Sequence, residues 1–126
     1  MKRRILIIDD ESGFSKMVKL NLEGTGDYLV TEERDPYRAL ATALKTRPDL
    51  IFLDIVMPGL DGGEVAGRIR AERTLREVPI VFLTAIASKG DLGRQDTIGG
   101  FPFLAKPVSV DELRACIERQ LGARDG

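Results

Sequence analysis

Five polar residues stand directly after apolar runs, and their types suit phosphate and metal chemistry. They are Asp9, Asp10, Asp54, Thr84 and Lys106. Carboxylate oxygens ligate hard divalent cations, an ammonium pairs with a phosphoryl oxygen or a carboxylate, and a hydroxyl donates a hydrogen bond. The adjacent acids Asp9 and Asp10 repel each other, and this repulsion grows where the effective dielectric constant falls below that of water. We therefore expect a counter-charge near them.

The apolar runs in front of these residues have the length of β-strands. They cover residues 5–8, 28–30, 50–53, 80–83 and, more weakly, 101–105. Because the runs are continuously apolar rather than alternating, they are typical of parallel strands that are buried on both faces. The sequence therefore predicts a parallel sheet that is covered by helices.

Amphipathic stretches between the runs predict the helices. Their apolar positions are Phe14, Val18 and Leu22 with Met17 beside them, then Leu40 and Leu44, then Val65 and Ile69, and finally Leu113, Ile117 and Leu121. Asp35 before Pro36 is an N-cap and first-turn pair, and Ser109 with Glu112 forms a capping box. These signals predict that a helix begins just before the second group of apolar positions and another just before the last group.

The predicted fourth helix is the weakest of the set. Residues 87–100 include Gly90 and Gly93, and a glycine inside a helix costs about 1 kcal/mol relative to alanine. We therefore predict that this helix is short or mobile. Strand and helix nevertheless alternate five times, which is the doubly wound α/β pattern with helices on both faces of the sheet.

In a doubly wound sheet the ligand crevice lies outside the carboxyl ends of the strands. The five polar residues follow those ends, so we expect their side chains to converge. Three carboxylates in one small volume need a counter-charge, and hard oxygen ligands suit Mg²⁺. Lys106 supplies a second positive charge. The sequence therefore predicts a Mg²⁺ site at one edge of the sheet.

Composition bounds the function further. The chain has 126 residues, 43% of them apolar, which suits a single domain. Its net charge of −1 gives no general attraction to nucleic acid or to an anionic membrane. With one cysteine, Cys116, and no histidine, the sequence contains no internal disulfide, zinc-type ligand set or Ser-His-Asp triad. The first apolar run is too short for a signal peptide or a membrane span, so we expect a soluble, cytoplasmic protein.

Four motifs occur in a specific order along the chain. They are IIDDES for the acidic pair, IFLDIVMPGLDG around Asp54, VFLTA around Thr84, and FLAKP around Lys106. With these motifs the sequence resembles the receiver domain of two-component response regulators over essentially its whole length. The fold expected for such a domain is a flavodoxin-like, five-stranded parallel sheet with strand order 2-1-3-4-5. We expect the receiver domain over residues 1–122 and a frayed C-terminal tail over 123–126.

The resemblance implies a role for each residue of the acidic site. Asp54 would accept a phosphoryl group from a phosphohistidine on a sensor histidine kinase or a histidine phosphotransfer protein. Asp10 and Asp54 would ligate Mg²⁺ directly, and Asp9 would act through a water molecule. The backbone carbonyl of Val56 would complete the protein ligands, and Lys106 would neutralise phosphoryl oxygens. The chain would be a phosphoacceptor signalling domain rather than an enzyme, and it would promote its own phosphorylation and dephosphorylation.

The same resemblance implies a switch. Thr84 would donate its hydroxyl to the new phosphate, and Phe103 would rotate into the space that is vacated. The Lys106–Pro107 peptide bond would be cis. The change would reach the surface around the fourth helix and fifth strand and control an unknown downstream target in two-component signalling. A homodimer through the fourth helix, fifth strand and fifth helix is a further expectation, whereas nucleic acid and membrane are not expected as partners of this chain.

Two positions tune the lifetime of the phosphoryl group in the family, and here they are Val56 and Ile86. Both side chains are apolar. Since neither can orient an attacking water molecule, we expect slow self-dephosphorylation.

The last strand departs from the usual pattern of the family at Phe101 and Pro102. Pro102 lacks a backbone donor, which suits an edge strand. An exposed Phe101 beside the fourth helix would favour a docking or dimer surface.

Other interpretations remain open. Taken alone, Asp9 and Asp10 fit a capped turn, and Thr84 fits a satisfied loop hydroxyl. A haloacid-dehalogenase-like phosphatase would form its aspartyl phosphate at Asp9, with Glu11 as a poor substitute for the acid that it needs two residues later. A flavodoxin-like cofactor binder needs a neutral phosphate loop after the first strand. A receiver fold that is never phosphorylated is a fourth possibility.

A solvated helix face is the ordinary interpretation of Arg68, Arg70, Arg73 and Arg76.

Overall fold

The computed structural model describes residues 2–57, 59–85 and 97–122. Most of the segment predicted to form a short or mobile fourth helix, at 87–100, lies outside the described residues. The predicted tail at 123–126 also lies outside them.

The described elements alternate between strands and helices as predicted. The strands are β1 (Arg3–Ile8), β2 (Tyr28–Glu33), β3 (Leu50–Asp54), β4 (Ile80–Thr84), β5 (Thr97–Ile98) and β6 (Phe101–Ala105). The helices are α1 (Ser12–Gly24), α2 (Ala39–Thr46), α3 (Gly62–Ala71) and a C-terminal helix (Val110–Leu121), with 3₁₀ turns at Pro36–Arg38 and Arg73–Leu75.

The strands form one sheet with the order β2-β1-β3-β4-β6-β5. The first five strands in this order pair in parallel, so the predicted flavodoxin-like arrangement is confirmed, with β6 in the place of the fifth strand. The two-residue β5 is an addition that pairs antiparallel with β6. Gly99 and Gly100 join the two strands with φ angles of 58° and 88°. Positive φ at both central residues is typical of a tight hairpin turn.

The sheet separates two apolar layers, because successive side chains of a strand point to opposite faces. On one face Ile5 and Ile7 pack with buried residues of α1 and the C-terminal helix. On the other face Leu6 and Ile8 pack with buried residues of α2 and α3. The sheet is therefore covered on both sides, as the continuous apolar runs predict.

The apolar face predicted for α2 is wrong. Ala39 and Ala43 are the buried residues of this helix, whereas Leu40 is half-buried and Leu44 is exposed. A 3₁₀ turn precedes α2, and the helix packs on the sheet with its two small alanine side chains facing the core.

Both predicted N-cap residues accept the expected hydrogen bond, but Asp35 caps the 3₁₀ turn at Pro36–Arg38 rather than α2 itself. Asp35 accepts a hydrogen bond from the backbone N–H of Tyr37 at 2.9 Å, at the 3₁₀ turn before α2. Ser109 and Glu112 form the predicted capping box of the C-terminal helix.

The described helices are short. The longest, α1, has 13 residues, whereas a membrane-spanning helix needs about 20. None of the helices in the described ranges has the length and apolar character to cross a membrane.

Candidate functional site

The strand register brings the predicted site residues to one edge of the sheet. Ile8 lies opposite Leu53, so the next residues, Asp9 and Asp54, lie side by side. On the other side of β3, Thr84 ends β4, and its partner in β6 directly precedes Lys106. Four of the five residues predicted to converge therefore lie at this edge, namely Asp9, Asp54, Thr84 and Lys106. The fifth, Asp10, is exposed and lines a neighbouring cleft.

These residues are shielded from solvent. The exposed fractions are 0% for Asp9, 6% for Asp54 and 2% for Thr84, and the Lys106 side chain is 10% exposed. Charged residues are almost never this buried without partners. The contacts of each group therefore decide what the site can do.

The ammonium of Lys106 is held by several groups at once. Its Nζ donates to Asp9 Oδ2 at 2.8 Å and to Glu11 Oε1 at 2.6 Å. It lies 4.4 Å from the centre of the Phe14 ring and 3.7 Å from Asp54 Oδ2. Burial opposes the charged form most strongly, but the hydrogen bonds to Asp9 and Glu11, together with the negative charges of Asp9 and Asp54, outweigh it, so the pKa of Lys106 is raised.

The backbone of Lys106 is also fixed. Its N–H donates to the carbonyl of Thr84 at 2.8 Å, which continues the pairing of β4 and β6. The lysine side chain therefore leaves the sheet from a defined position. The Lys106–Pro107 peptide bond is cis, so this prediction is confirmed.

Both carboxylate oxygens of Asp9 are engaged. Oδ2 accepts from Lys106, and Oδ1 accepts from the backbone N–H of Glu11 at 2.9 Å. The Asp9 N–H donates to the carbonyl of Glu33 at 3.1 Å, at the end of β2. Asp9 is therefore held between β2, the start of α1 and Lys106.

Asp54 is less completely paired. Its Oδ1 accepts from the backbone N–H of Val56 at 3.1 Å, whereas Oδ2 lies beyond hydrogen-bond distance of Lys106. Burial and the charge of Asp9 raise the pKa of Asp54 to about 6, against the opposing effect of Lys106. Asp54 is thus a buried carboxylate whose negative charge is only partly compensated.

A glycine lets the loop after Asp54 fold back tightly. The N–H of Gly62 donates to the carbonyl of Ile55 at 2.8 Å. A Cβ at Gly62 would lie 2.5 Å from the Asp54 carbonyl oxygen and 2.8 Å from Ile55 Cα, closer than real Cβ contacts. Only glycine fits there without moving the backbone that carries Asp54.

The site contains a set of oxygen donors that suits Mg²⁺. One carboxylate oxygen each from Asp9, Glu11 and Asp54 lies within 4.8 Å of the others, and hard carboxylate ligands fit a hard cation. Glu11 was not among the predicted Mg²⁺ ligands. Its position directly after the acidic pair was a signal, but the direction of its side chain depends on how α1 begins.

Asp10 lies outside that three-carboxylate cluster. It is exposed and lines a neighbouring cleft with Glu32, Glu33, Arg34, Asp35 and Arg38. Its negative charge still contributes to the raised pKa of Asp54. The described contacts therefore place Asp9 and Glu11, rather than Asp10, in closest association with Asp54.

The remaining predicted site residues are Val56, Phe103 and Ile86. Val56 is 56% exposed beside Asp54. Phe103 is half-buried in β6, opposite Phe82, and packs on the apolar layer that faces α2 and α3. Ile86 lies outside the described residues.

The expectation of an exposed Phe101 is wrong. Phe101 is half-buried, with its ring centre 5.3 Å from that of Phe82 in an edge-to-face arrangement. The guanidinium carbon of Arg70 lies 5.5 Å from the same ring, and Arg70 Nη1 donates to the carbonyl of Val78 at 2.7 Å. Arg70 therefore belongs to a packed corner of the domain, not to a fully solvated arginine face.

The chain matches one protein family over most of its length. A family model described as response regulator receiver domain matches residues 5–118. The chain is 36% identical to the DNA-binding dual master transcriptional regulator RpaA of Synechocystis over 97% of this chain and 50% of that protein. It is 33% identical to the polar-differentiation response regulator DivK of Brucella anthropi over 97% of this chain and 98% of that protein. The chain thus spans half of RpaA, and its match covers only 24% of the response regulator PleD.

Solved structures share the fold. Chemotaxis protein CheY4 of Vibrio cholerae matches with a TM-score of 0.82 and 30% identity over 96% of this chain and 100% of that one. The receiver domain of the sensor histidine kinase PA1611 from Pseudomonas aeruginosa PAO1 has a magnesium ion coordinated in its active-site cleft. It matches with a TM-score of 0.82 and 33% identity over 98% of this chain and 100% of that one. With the acidic edge, the fold and a family match across most of its length, this chain belongs to the receiver domains of response regulators.

Proposed function

We propose that this receiver domain accepts a phosphoryl group on Asp54 in a Mg²⁺-dependent transfer from a phosphohistidine. The donor is a sensor histidine kinase or a histidine phosphotransfer protein. The observation that carries the proposal is the setting of Asp54, a buried carboxylate beside Asp9 with the Lys106 ammonium 3.7 Å from its Oδ2. This arrangement presents a carboxylate nucleophile in a site that neutralises added negative charge.

The transfer exchanges one bond to phosphorus for another. An oxygen of the Asp54 carboxylate attacks the phosphorus, and the bond from phosphorus to the histidine nitrogen breaks. The bonding electron pair leaves with the imidazole, and a proton on its other ring nitrogen keeps the leaving group neutral. The product is an acyl phosphate on Asp54. An ionised carboxylate needs no general base for this step.

The residues that would hold Mg²⁺ are Asp9, Asp10, Asp54 and the backbone carbonyl of Val56, with Glu11 beside them. When bound, the cation supplies positive charge to the phosphoryl oxygens and offsets the mutual repulsion of the carboxylates. The raised pKa of Asp54 is consistent with a site that favours a cation, because Asp9 and Asp10 both raise it. The magnesium ion in the active-site cleft of the PA1611 receiver domain supports the proposal that this domain also binds Mg²⁺.

Lys106 and Thr84 bind the phosphoryl group after transfer in this proposal. The ammonium of Lys106 is near enough to Asp54 to reach a phosphoryl oxygen, and Thr84 ends the neighbouring strand. Thr84 then draws its loop inward, and Phe103 rotates into the vacated space. The changed surface, around β6 and the segment before it, controls a downstream protein and can also form a homodimer.

The lifetime of the acyl phosphate depends on its neighbours. Val56 and Ile86 are both apolar, so neither orients a water molecule for attack on phosphorus. We infer that self-dephosphorylation is slow. The domain is then a phosphoacceptor that assists its own phosphorylation and loses the phosphoryl group gradually.

The signalling context follows from the relatives. RpaA is a transcriptional regulator and DivK is a polar-differentiation response regulator. We infer a regulatory output for this domain and propose that it acts in the cytoplasm. We assign residues 1–122 to the receiver domain. The chain offers no general attraction to nucleic acid or membrane, since its net charge is −1.

The phosphatase alternative places the acyl phosphate on Asp9, and the geometry disfavours it. Asp9 has no exposed surface, and both of its oxygens already accept hydrogen bonds. Asp54 Oδ2 has no such bond to Lys106 at its distance of 3.7 Å. Asp54 is therefore the better nucleophile.

Intact-protein mass spectrometry tests the proposal. The protein is treated with acetyl phosphate and Mg²⁺, and the expected result is one added phosphoryl group. The Asp54→Asn variant and wild-type protein with a chelator should both remain unmodified. Equal modification of the Asp54→Asn variant would contradict the proposal.

A further inference from the structure

The start of α1 contacts the Lys106 ammonium through two side chains, Glu11 and Phe14. Glu11 Oε1 accepts its shortest hydrogen bond, at 2.6 Å, and the Phe14 ring lies 4.4 Å from Nζ. Glu11 and Phe14 are three residues apart, which places them on the same side of a helix start. Lys106 is thus bound from the side of α1.

Glu11 is unusual for its position. It is the N-cap residue of α1, where a side chain ordinarily accepts a hydrogen bond from the first turn, but its carboxylate makes no capping hydrogen bond. The backbone N–H of Glu11 donates to Asp9 Oδ1 at 2.9 Å, which fixes the start of the helix. The carboxylate is directed to Lys106 instead.

The contacts from α1 lie on one side of the Lys106 ammonium, and Asp54 lies on another side. Nζ is within hydrogen-bond distance of Asp9 and Glu11, but is 3.7 Å from Asp54 Oδ2. One ammonium has three N–H donors, and two of them point to Asp9 and Glu11. The hydrogen bond to Glu11 draws the ammonium toward α1, and in this way it weakens the interaction of Lys106 with Asp54.

We propose that Glu11 is a positioning residue that holds the Lys106 ammonium toward α1 and thereby slows phosphorylation of Asp54. The inference rests on the proposed phosphoacceptor function. In the acceptor reaction Lys106 moves toward the new phosphoryl oxygens and its hydrogen bond with Glu11 lengthens or breaks. Neutralising Glu11 lowers the cost of that movement.

Glu11 could instead contribute a ligand to Mg²⁺, since one of its oxygens lies within 4.8 Å of those of Asp9 and Asp54. The short hydrogen bond to Lys106 favours the positioning role, because it directs the Glu11 carboxylate to the ammonium. The two roles predict opposite effects of Glu11→Gln. Loss of a metal ligand slows phosphorylation at limiting Mg²⁺, whereas release of Lys106 accelerates phosphorylation.

The contact itself is tested by NMR on lysine-labelled, metal-free protein. We expect one slowly exchanging ammonium signal in the wild type that is absent from the Lys106→Met variant. Glu11→Gln should speed its hydrogen exchange by about threefold or more, while Glu64→Gln should leave it unchanged. Glu64 is a matched control, because it is an exposed glutamate in the first turn of α3. An unchanged signal in Glu11→Gln would overturn the inference.

The consequence is tested by phosphorylation kinetics at limiting and at saturating Mg²⁺. Glu11→Gln should accept phosphate from acetyl phosphate roughly twofold to fivefold faster than wild type, the range expected for loss of a partly exposed ion pair. The acceleration should disappear when Lys106→Met is already present. Slower phosphorylation, or acceleration that persists with Lys106→Met, would overturn the inference in favour of a metal ligand or general repulsion of the donor. A wild-type protein that accepts no phosphate would refute the proposed function, and the exchange measurement would still decide whether Glu11 holds Lys106.

Discussion

The Lys106 ammonium lies 3.7 Å from Asp54 Oδ2 but 2.8 Å from Asp9 Oδ2. The positive charge nearest to the proposed acceptor is therefore bound first to a neighbouring carboxylate. Asp54 keeps a negative charge that burial and Asp9 make costly, and its pKa is raised to about 6. In the metal-free, unphosphorylated site the negative charge of Asp54 is therefore energetically unfavourable. A bound cation or a transferred phosphoryl group would change this charge balance.

Replacing Asp54 with Asn should stabilise the metal-free protein. The pKa of Asp54 is higher in the folded protein than in the unfolded chain, so the folded state binds the extra proton between about pH 4 and pH 6. Wild-type stability should fall as the pH rises through this window and stay lower above it. At pH 7.5 with a chelator, Asp54→Asn should raise the free energy of unfolding by about 2 kcal/mol.

Urea denaturation at several pH values measures this effect. The difference between Asp54→Asn and wild type should shrink toward zero near pH 4, and it should also shrink when Mg²⁺ is added at pH 7.5. A difference that is independent of pH would show that the charge of Asp54 is not its source.

Gly62→Ala should damage both the fold and the acceptor site. A Cβ at this position would lie 2.5 Å from the Asp54 carbonyl oxygen, so the backbone next to Asp54 must move. We expect a loss of about 2–4 kcal/mol in the free energy of unfolding, a range typical of forced overpacking and strain. Phosphorylation by acetyl phosphate should also fall.

Gly67→Ala is the matched control for this experiment. Gly67 lies in the same helix, and a Cβ there would meet nothing within 4 Å. The change should be neutral or should stabilise by up to about 1 kcal/mol, because alanine favours helix. Equal effects of the two substitutions would show that the close approach at Gly62 is unimportant.

Val56→Asn should shorten the lifetime of the phosphoryl group. The Val56 side chain is 56% exposed next to Asp54, so a polar replacement costs little stability and can orient a water molecule toward phosphorus. We expect hydrolysis to become about threefold to tenfold faster, a modest share of the effect of general acid–base groups. The decay of phosphorylated protein after removal of the donor measures the rate. An unchanged lifetime would count against the role assigned to Val56.

Asp10→Ala should abolish Mg²⁺-dependent phosphorylation while the fold remains intact. Asp10 is exposed, so its removal leaves no unpaired buried group, and loss of its negative charge should slightly stabilise the metal-free protein. Calorimetric titration should show Mg²⁺ affinity lowered by about tenfold or more.

Asp111→Asn provides the comparison for Asp10→Ala, since Asp111 is an exposed acid at the start of the C-terminal helix. Its Mg²⁺ affinity should match that of wild type. Full Mg²⁺ affinity in Asp10→Ala would remove Asp10 from the proposed ligands and favour the cluster of Asp9, Glu11 and Asp54.

The location of the site was predictable because it depends on topology. In a parallel sheet the carboxyl ends of the strands share one edge, so Asp9, Asp54 and Lys106 could be placed together from the sequence alone. The capping signal at Ser109 was equally local and correct. Such features depend on residue type and spacing alone.

Side-chain directions were less predictable. The Glu11 side chain remains 61% exposed while its carboxylate contacts Lys106, a direction that depends on how α1 begins, and the burial of Ala43 rather than Leu44 depends on how α2 packs against the sheet. Phe101 is half-buried because the ring of Phe82 and the guanidinium of Arg70 pack against it. These outcomes depend on contacts between distant segments, which spacing does not encode.

Mapping of the modified residue tests the central claim most directly. The protein is phosphorylated with acetyl phosphate and Mg²⁺, digested, and analysed by tandem mass spectrometry. We predict a single phosphoryl group on Asp54, the buried carboxylate whose Oδ2 lies beyond hydrogen-bond distance of Lys106. Modification of Asp9 instead, with Asp54 unmodified, would contradict the account.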